Sequence, residues 1–156
     1  MKFKLLVFNA TKNTIYDYAS IAKDVTYTTN RSGSAGKLEF YYIHRQPDNM
    51  TEGARIQFYV DGKEIYQGYV FTIKQSRDGE ISVTAYDQLR YLKSNASYSF
   101  VGKKLGEIIQ QIAADMQLSV GTLEDTGYVI PTLTKEDTEC FDIIDYGLVL
   151  TQNNTG

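Results

Sequence analysis

Cysteine occurs once in this chain, at Cys140, and histidine once, at His44. A lone cysteine excludes an internal disulfide and fits a reducing compartment. One histidine and one cysteine far apart in the sequence do not give the clustered spacing of a metal site. Basic residues are outnumbered, 16 Lys and Arg against 19 Asp and Glu, for a net charge of −3. No basic stripe of the kind that marks a nucleic-acid binder is visible. No apolar run approaches the roughly 18 residues that a membrane-spanning helix needs. The opening residues MKFKLLVFNA carry two lysines and too short an apolar stretch for a signal peptide, and no small-residue cleavage site follows. No P-loop, dinucleotide fingerprint or Gly-x-Ser-x-Gly elbow is present. The Gly33-Ser34-Ala35-Gly36 loop lacks the lysine and following helix of a phosphate cradle.

Tryptophan is also absent, yet there are 13 tyrosines, an uneven use of aromatics that needs a reason. Tyrosine buries a large apolar body and keeps a polar tip, which suits half-buried sheet faces and protein interfaces. Asn9, Asn49 and Asn95 head Asn-x-Ser/Thr triplets, a motif short enough to arise by chance.

Two unlike parts follow one another. Residues 1–94 read as β, rich in Val, Ile, Thr, Tyr and Phe between turn residues. Phe3, Leu5 and Val7 share one face of a first strand, Val25 and Tyr27 one face of a second, and Leu38, Phe40 and Tyr42 one face of a third. Ile56, Phe58 and Val60 alternate with polar positions up to Asp61-Gly62, a pair that accepts the positive φ of a tight hairpin turn. The chain then doubles back through Ile65, runs on from Tyr69 to Lys74, turns at Asp78-Gly79, and returns through Ile81, Val83 and Ala85. This predicts an antiparallel meander within a small β-barrel or sandwich. At its end Asp87 is placed to cap a helical turn and to pair with Arg90, and Leu89 and Leu92 to plug a barrel.

Residues 95–156 change period. Leu105, Ile108, Ile109, Ile112, Ala113 and Met116 form the stripe of an amphipathic helix, with Glu107, Gln110, Gln111 and Asp115 opposite. An extended segment, Tyr128-Val129-Ile130, is expected to end at Pro131. A last helix is expected to start at Thr134, capped with Asp137, with Phe141, Ile144 and Leu148 on one face. Its apolar residues call for a partner, so this part is expected to be the start of a second domain cut short. The fold class expected is α+β: a β-barrel-like domain over 1–94, then a helical or mixed segment over 95–156.

Chemistry is hard to assemble from these residues. His44, after a strand and before Arg45-Gln46-Pro47, reads as a partly exposed loop histidine. Cys140 beside Phe141 reads as a buried, inert thiol. Glu124-Asp125 and Glu136-Asp137 are adjacent acid pairs, with Glu139 and Asp142 after them. Helix capping explains such acids more simply than glycoside hydrolysis does. No catalytic, metal or cofactor-binding residue is expected, and no cofactor.

Three strings belong together: Tyr-Val-Asp-Gly-Lys-Glu-Ile at 59–65, Gly-Tyr-Val-Phe at 68–71 and Asp-Gly-Glu-Ile-Ser-Val-Thr-Ala-Tyr-Asp-Gln-Leu-Arg-Tyr-Leu at 78–92. Leu-Gly-Glu-Ile-Ile-Gln-Gln-Ile-Ala at 105–113 and Val-Gly-Thr-Leu-Glu-Asp-Thr-Gly-Tyr at 120–128 follow. In this order they resemble the tail hub proteins of contractile phages and phage-like particles, the XkdQ or late-control-D type of prophages. The likeness runs through about residues 55–148, and its most specific piece is Ala-Tyr-Asp-x-Leu-Arg-Tyr-Leu. It implies a structural protein made in the bacterial cytoplasm and built into the tail or baseplate. The full-length subunit would be a homotrimer joining a hexameric tail tube to a trimeric spike, with two tube-like split barrels per subunit. Partners would be tail tube, spike and baseplate proteins, with neither membrane nor sequence-specific nucleic acid. The strand Arg55–Val60 and the hairpin Ile65–Ile73 are the candidate subunit contacts, with Tyr59, Tyr66 and Tyr69 as exposed anchors. Asp87, Leu89, Arg90 and Leu92 form the structural corner.

Three other functions compete. Leu105–Ala113 followed by Leu118-Ser-Val-Gly-Thr-Leu has the cadence of a LysM peptidoglycan-binding repeat, which orders its elements strand–helix–helix–strand. A wall hydrolase would use Glu124, Asp125 or Glu136. A nucleic-acid-binding barrel would need the basic patch that is missing.

Overall fold

Alternation of apolar and polar positions marks several of the strands in the first 86 residues, and a break to helical spacing makes a helix from Leu105. The computed structural model describes residues 1–44, 48 and 50–156; the Asn49 triplet and Arg45-Gln46-Pro47 lie outside the described residues. The chain forms two compact units. One comprises Met1–Asn30 and Ala35–Gln88, the other Arg31–Ser34 and Leu89–Gly156.

The first unit is a seven-stranded antiparallel sheet. Its strands are β1 (Phe3–Asn9), β2 (Thr14–Asp17), β3 (Lys23–Thr28), β4 (Lys37–Ile43), β5 (Arg55–Val60), β6 (Lys63–Gln75) and β7 (Glu80–Tyr86). Their order in the sheet is β2-β1-β5-β6-β7-β4-β3. Asp61 and Gly62 both take positive φ, 49° and 80°, as the tight β5–β6 turn requires. β2 gave no sequence signal because it is four residues long and largely exposed, with no alternation to read.

One face of the sheet carries the core: Leu5, Val7, Leu38, Phe40, Tyr42, Ile56, Tyr66, Val70, Ile81, Val83 and Ala85. Among the described residues no helix of the unit covers this face, so the sheet must curl onto itself to dry it. Two ring contacts record the curl. Tyr18, just past β2, meets Tyr42 of β4 edge-on at 5.2 Å. Tyr27 of β3 meets Tyr66 of β6 at 5.3 Å. Residues of β1, β3 and β5 (Phe3, Leu5, Val25 and Phe58) line one hollow of about 270 Å³ together with Ala19 and Ala22. The ladder itself does not close among the described residues: β2 and β3 remain edges.

β6 joins the two halves of the sheet. Lys63–Tyr69 pair with β5, whereas Tyr69, Val70 and Thr72–Gln75 pair with β7. The register slips between Val70 and Thr72, a bulge that bends the strand where it changes partner.

The second unit holds the 3₁₀ turn that runs through Gln88–Lys93 into it, then β8 (Asn95–Lys104), α1 (Leu105–Asp115), β9 (Val129–Glu139) and α2 (Cys140–Thr155). α1 starts where the apolar stripe starts, and Glu107 accepts the Lys104 N–H at 2.8 Å to close its first turn. The helix expected from Thr134 is a strand instead, and α2 begins six residues later. Pairing with β8 overrides the local capping signal: Thr134 stands opposite Ser99, with their hydroxyls 3.0 Å apart, and Leu133 opposite Phe100. The later start rotates the buried face of α2. Cys140, Phe141, Ile143, Gly147 and Thr151 point inward, and Leu148, expected inside, is 36% exposed. Gly147 permits close packing, because a Cβ there would stand 3.0 Å from a Leu105 methyl.

Candidate functional site

The three tyrosines expected as surface anchors part company. Odd-numbered residues of β5 face outward, so Arg55, Gln57 and Tyr59 lie on the face opposite the core, as Gln67 and Tyr69 do on β6. Tyr59 and Tyr69 are half-buried there. Tyr66 is on the inner face at 3% exposure and cannot serve as an anchor. The reason is a neighbour with no side chain. The Tyr66 ring lies over Gly68, two residues on, and fills the space where a Cβ would stand.

Tyr66 has a further oddity: its hydroxyl is buried without a hydrogen-bond partner among the described residues. Burial pushes its ionisation well above the ordinary phenol value. An orphaned buried hydroxyl costs desolvation and returns nothing. The Tyr66→Phe variant is therefore expected to be as stable as the parent or up to about 1 kcal/mol more stable. Urea unfolding followed by circular dichroism checks this, and a loss beyond about 1 kcal/mol would show that the hydroxyl has a partner.

The outer face is organised in transverse rows. Lys4, Tyr59 and Glu64 form one, with the Tyr59 hydroxyl donating to Glu64 at 2.8 Å. That hydrogen bond is the main reason the Tyr59 phenol titrates above its usual range. Leu6, Gln57 and Gln67 form the next, and the Gln57 amide donates to Gln67 at 3.0 Å. The third runs Phe8, Arg55, Tyr69, Tyr86 and Lys37, across β1, β5, β6, β7 and β4. Here the Arg55 guanidinium stacks over Phe8 at 5.2 Å, Phe71 meets Tyr86 edge-on at 5.4 Å, and Lys37 pairs with Glu39 at 2.9 Å. Sequence reading missed this row, because register across five strands sets it. β5 and β6 are interior strands, so they offer this face and not a sheet edge. The two real edges are poor templates for strand addition: β2 is short, and β3 is irregular between Lys23 and Thr26.

A second constellation gathers at Asp48. Its carboxylate accepts the Tyr18 hydroxyl at 2.6 Å, the Tyr42 hydroxyl at 2.7 Å and the Met50 N–H at 2.9 Å. His44 Nδ1 lies 2.9 Å from it, and Lys12 Nζ donates to the Asp48 carbonyl at 2.7 Å. The histidine thus takes part in a tyrosine–carboxylate cluster.

Of the expected corner, Asp87 bonds across the sheet. Asp87 Oδ2 accepts the Gly36 N–H at 2.9 Å, and Asp87 N–H donates to the Gly36 carbonyl at 3.0 Å. Asp87 therefore ties the end of β7 to the start of β4. A Cβ on Gly36 would fall 2.6 Å from that carboxylate. Leu92 is buried in the second unit's own core, and Leu89 is 46% exposed. Arg90 is half-buried in the turn.

Of the acids weighed for hydrolysis, Glu124 and Asp125 line one open hollow with Glu107 and Lys104. Asp125 binds Lys104 Nζ at 2.7 Å and accepts the Gly127 N–H, and these hold its carboxyl below the usual range, unfit to deliver a proton near neutrality. Glu136 lies on β9, exposed. Burial pushes the Cys140 thiol up, away from the thiolate. Among the described residues no group of three His, Cys, Asp or Glu could hold a metal ion. β8, α1, β9 and α2 alternate strand and helix, which is not the strand–helix–helix–strand order of LysM.

Comparison with known proteins places this architecture. The model of the YQBQ-like family matches residues 25–156. The chain is 31% identical over 142 residues to the phage-like element PBSX protein XkdQ of Bacillus subtilis, covering 87% of this chain and 43% of that protein. It is 36% identical over 110 residues to the protein YqbQ of the same organism, covering 69% of this chain and 33% of that one. The chain thus spans less than half the length of either curated relative. In fold it is similar to the 43 kDa tail protein of prophage MuSo2 from Shewanella oneidensis, with a TM-score of 0.73, 17% identity, and 97% of this chain and 51% of that one covered. It is also similar to the prophage tail protein gp18 of Listeria monocytogenes, with a TM-score of 0.55, 14% identity, and 93% and 45% covered.

Proposed function

The chain belongs to the YQBQ-like family of phage tail proteins, and on that premise we propose that it is part of a tail hub in the baseplate, joining the tail tube to the spike. The observation that carries this reading is the curled sheet. Among the described residues it buries its own inner face without a helical layer, leaves its ladder open from β2 to β3, and turns an outer face of tyrosines, glutamines and paired charges outward. An open, curled sheet of this kind supports reading the unit as a tube-like split barrel. A domain of this kind can sit in a ring beside copies of itself and present a polar, tyrosine-bearing wall to its neighbours. The role is structural, with no reaction assigned to it. The full-length subunit is a homotrimer whose partners are tube, spike and baseplate proteins of a contractile tail.

Quantitative mass spectrometry of tail particles purified from an induced culture of the source organism tests the reading. About three copies per particle, far below the tube subunit, is the expected result for a trimeric component. A chain that stays in the soluble fraction while tube and sheath proteins sediment would remove it from the tail.

A further inference from the structure

The second unit has an unpaired strand edge with a groove beside it. β8 is ten residues long and pairs with β9 alone, in unbroken register from Tyr98 to Lys104. Among the described residues no backbone hydrogen bond reaches its other edge. Strand edges are commonly blunted by brevity, irregularity, proline or charge. β2 and β3 show the first two, and β9 carries Pro131 and charges at Lys135, Glu136 and Asp137. β8 has neither proline nor charge from Asn95 to Gly102, and its Val101 is 71% exposed.

α1 supplies the opposite wall. Tyr98, Ser99, Phe100 and Lys103 of β8 line a hollow of about 360 Å³ with Glu107 and Gln111 of α1. Its walls are already fixed. The Tyr98 ring stacks on Phe100 at 5.3 Å, its hydroxyl donates to Asp115 at 2.7 Å, and the Gln111 amide donates to the same carboxylate at 3.0 Å. Glu107 is taken up by the Lys104 N–H, and the Lys104 ammonium by Asp125. What stays unspent is the backbone of the edge and the ammonium of Lys103, which has no ion pair among the described residues.

We propose that an extended segment of another protein adds to β8 as an antiparallel third strand in this groove, with a carboxylate side chain set beside Lys103. The edge identifies the occupant. A row of N–H and C=O groups at strand spacing is complemented by another extended backbone, whereas a helix bonds its own groups internally. Alternate side chains of the added strand enter the hollow, where the Tyr98–Phe100 stack suits apolar and β-branched residues. Charge sets the end: Lys103 closes the C-terminal part of β8, so in an antiparallel partner the acid comes first. The inference is independent of the hub reading, because it concerns another unit and a partner that is not a copy.

The probe is a blocked hexapeptide, Asp-Thr-Val-Thr-Val-Thr. Its control has the two central residues replaced by proline, which removes N–H groups from both edges. Amide hydrogen exchange of the parent chain, read residue by residue by NMR, is compared with and without peptide at millimolar concentration. The β8 amides that point away from β9 are expected to exchange fast alone and to slow about threefold or more with the aspartate peptide. The proline peptide is expected to leave them fast. Lys103→Glu is expected to bind the aspartate peptide about fivefold more weakly. Thermal melting checks that this variant is folded, and the proline control is run on the parent chain and does not depend on it. Amides already slow without peptide would show that the protein fills its own edge, alone or with a second copy. That result, equal effects of the two peptides, or unchanged affinity in Lys103→Glu would each overturn the inference.

Discussion

The Gly68→Ala variant is expected to lose about 3 kcal/mol of stability, or roughly 10 °C in melting temperature. A methyl group at residue 68 falls onto the tip of the Tyr66 ring and against the backbone carbonyl of Tyr86. The ring could swing aside only by leaving the core, where it packs against Tyr27. The carbonyl cannot move without straining the ladder that pairs Tyr69 with Tyr86. Overpacking of this kind adds strain that neighbouring side chains cannot absorb. The Tyr66→Leu change in the Gly68→Ala background should recover part of the loss, because it removes the ring and leaves the carbonyl. A double-mutant cycle read by thermal unfolding measures that coupling. If Gly68→Ala melts with the parent chain, the close approach of β6 to β7 at this point is wrong.

Asp48→Ala is expected to be comparably damaging, at about 2–4 kcal/mol, because it strips the acceptor from two buried hydroxyls at about 1–2 kcal/mol each. Tyr18 and Tyr42 are both almost fully buried, and each donates its hydroxyl to this carboxylate. Without it two buried donors and the Met50 N–H lose their acceptor. The same contacts make stability depend on pH. Burial alone would raise the Asp48 pKa. The Tyr18 hydroxyl, the Met50 N–H, the Tyr42 hydroxyl and His44 together overcome that and hold it below the usual carboxylate range. A carboxyl depressed in the folded state adds stability that is present above its unfolded pKa of about 4 and is lost as pH falls through the native value. Urea midpoints taken from neutrality down to acid should therefore fall more steeply for the parent chain than for Asp48→Asn. Parallel curves would mean that Asp48 keeps an ordinary pKa. On the alkaline side burial and then Asp48 push the Tyr42 phenol up. Its neutral form favours the fold, and that contribution is lost above about pH 10, the unfolded phenol value.

What could be read in the sequence was local. Asp61-Gly62 announced its turn because two positive φ angles in succession admit few residue pairs. The stripe from Leu105 announced α1 because the helical period repeats over three turns. The strand pattern of β4, β5 and β7 followed from alternation. What escaped depends on partners distant in the chain. Thr134 carries a fair capping signal, but its fate was decided by Ser99. Tyr66 has the composition of an anchor, and only the register that sets it over Gly68 turns it inward. Asp48 acquires meaning from Tyr18, and Arg55 from Phe8, through a fold that one-dimensional spacing does not encode.

β6 belongs to two ladders at once, and this limits how the gene can drift. Its first half is keyed to β5 and its second to β7, with Gly68 and Tyr69 just before the exchange. Adding or deleting one residue between Gly68 and the bulge would turn one half over, sending Val70 and Ile73 to the outside while the other half stayed in phase. Changes of two residues preserve the facing. Descent in this family should therefore treat the length of β6 as an inherited constant, changed in pairs if at all.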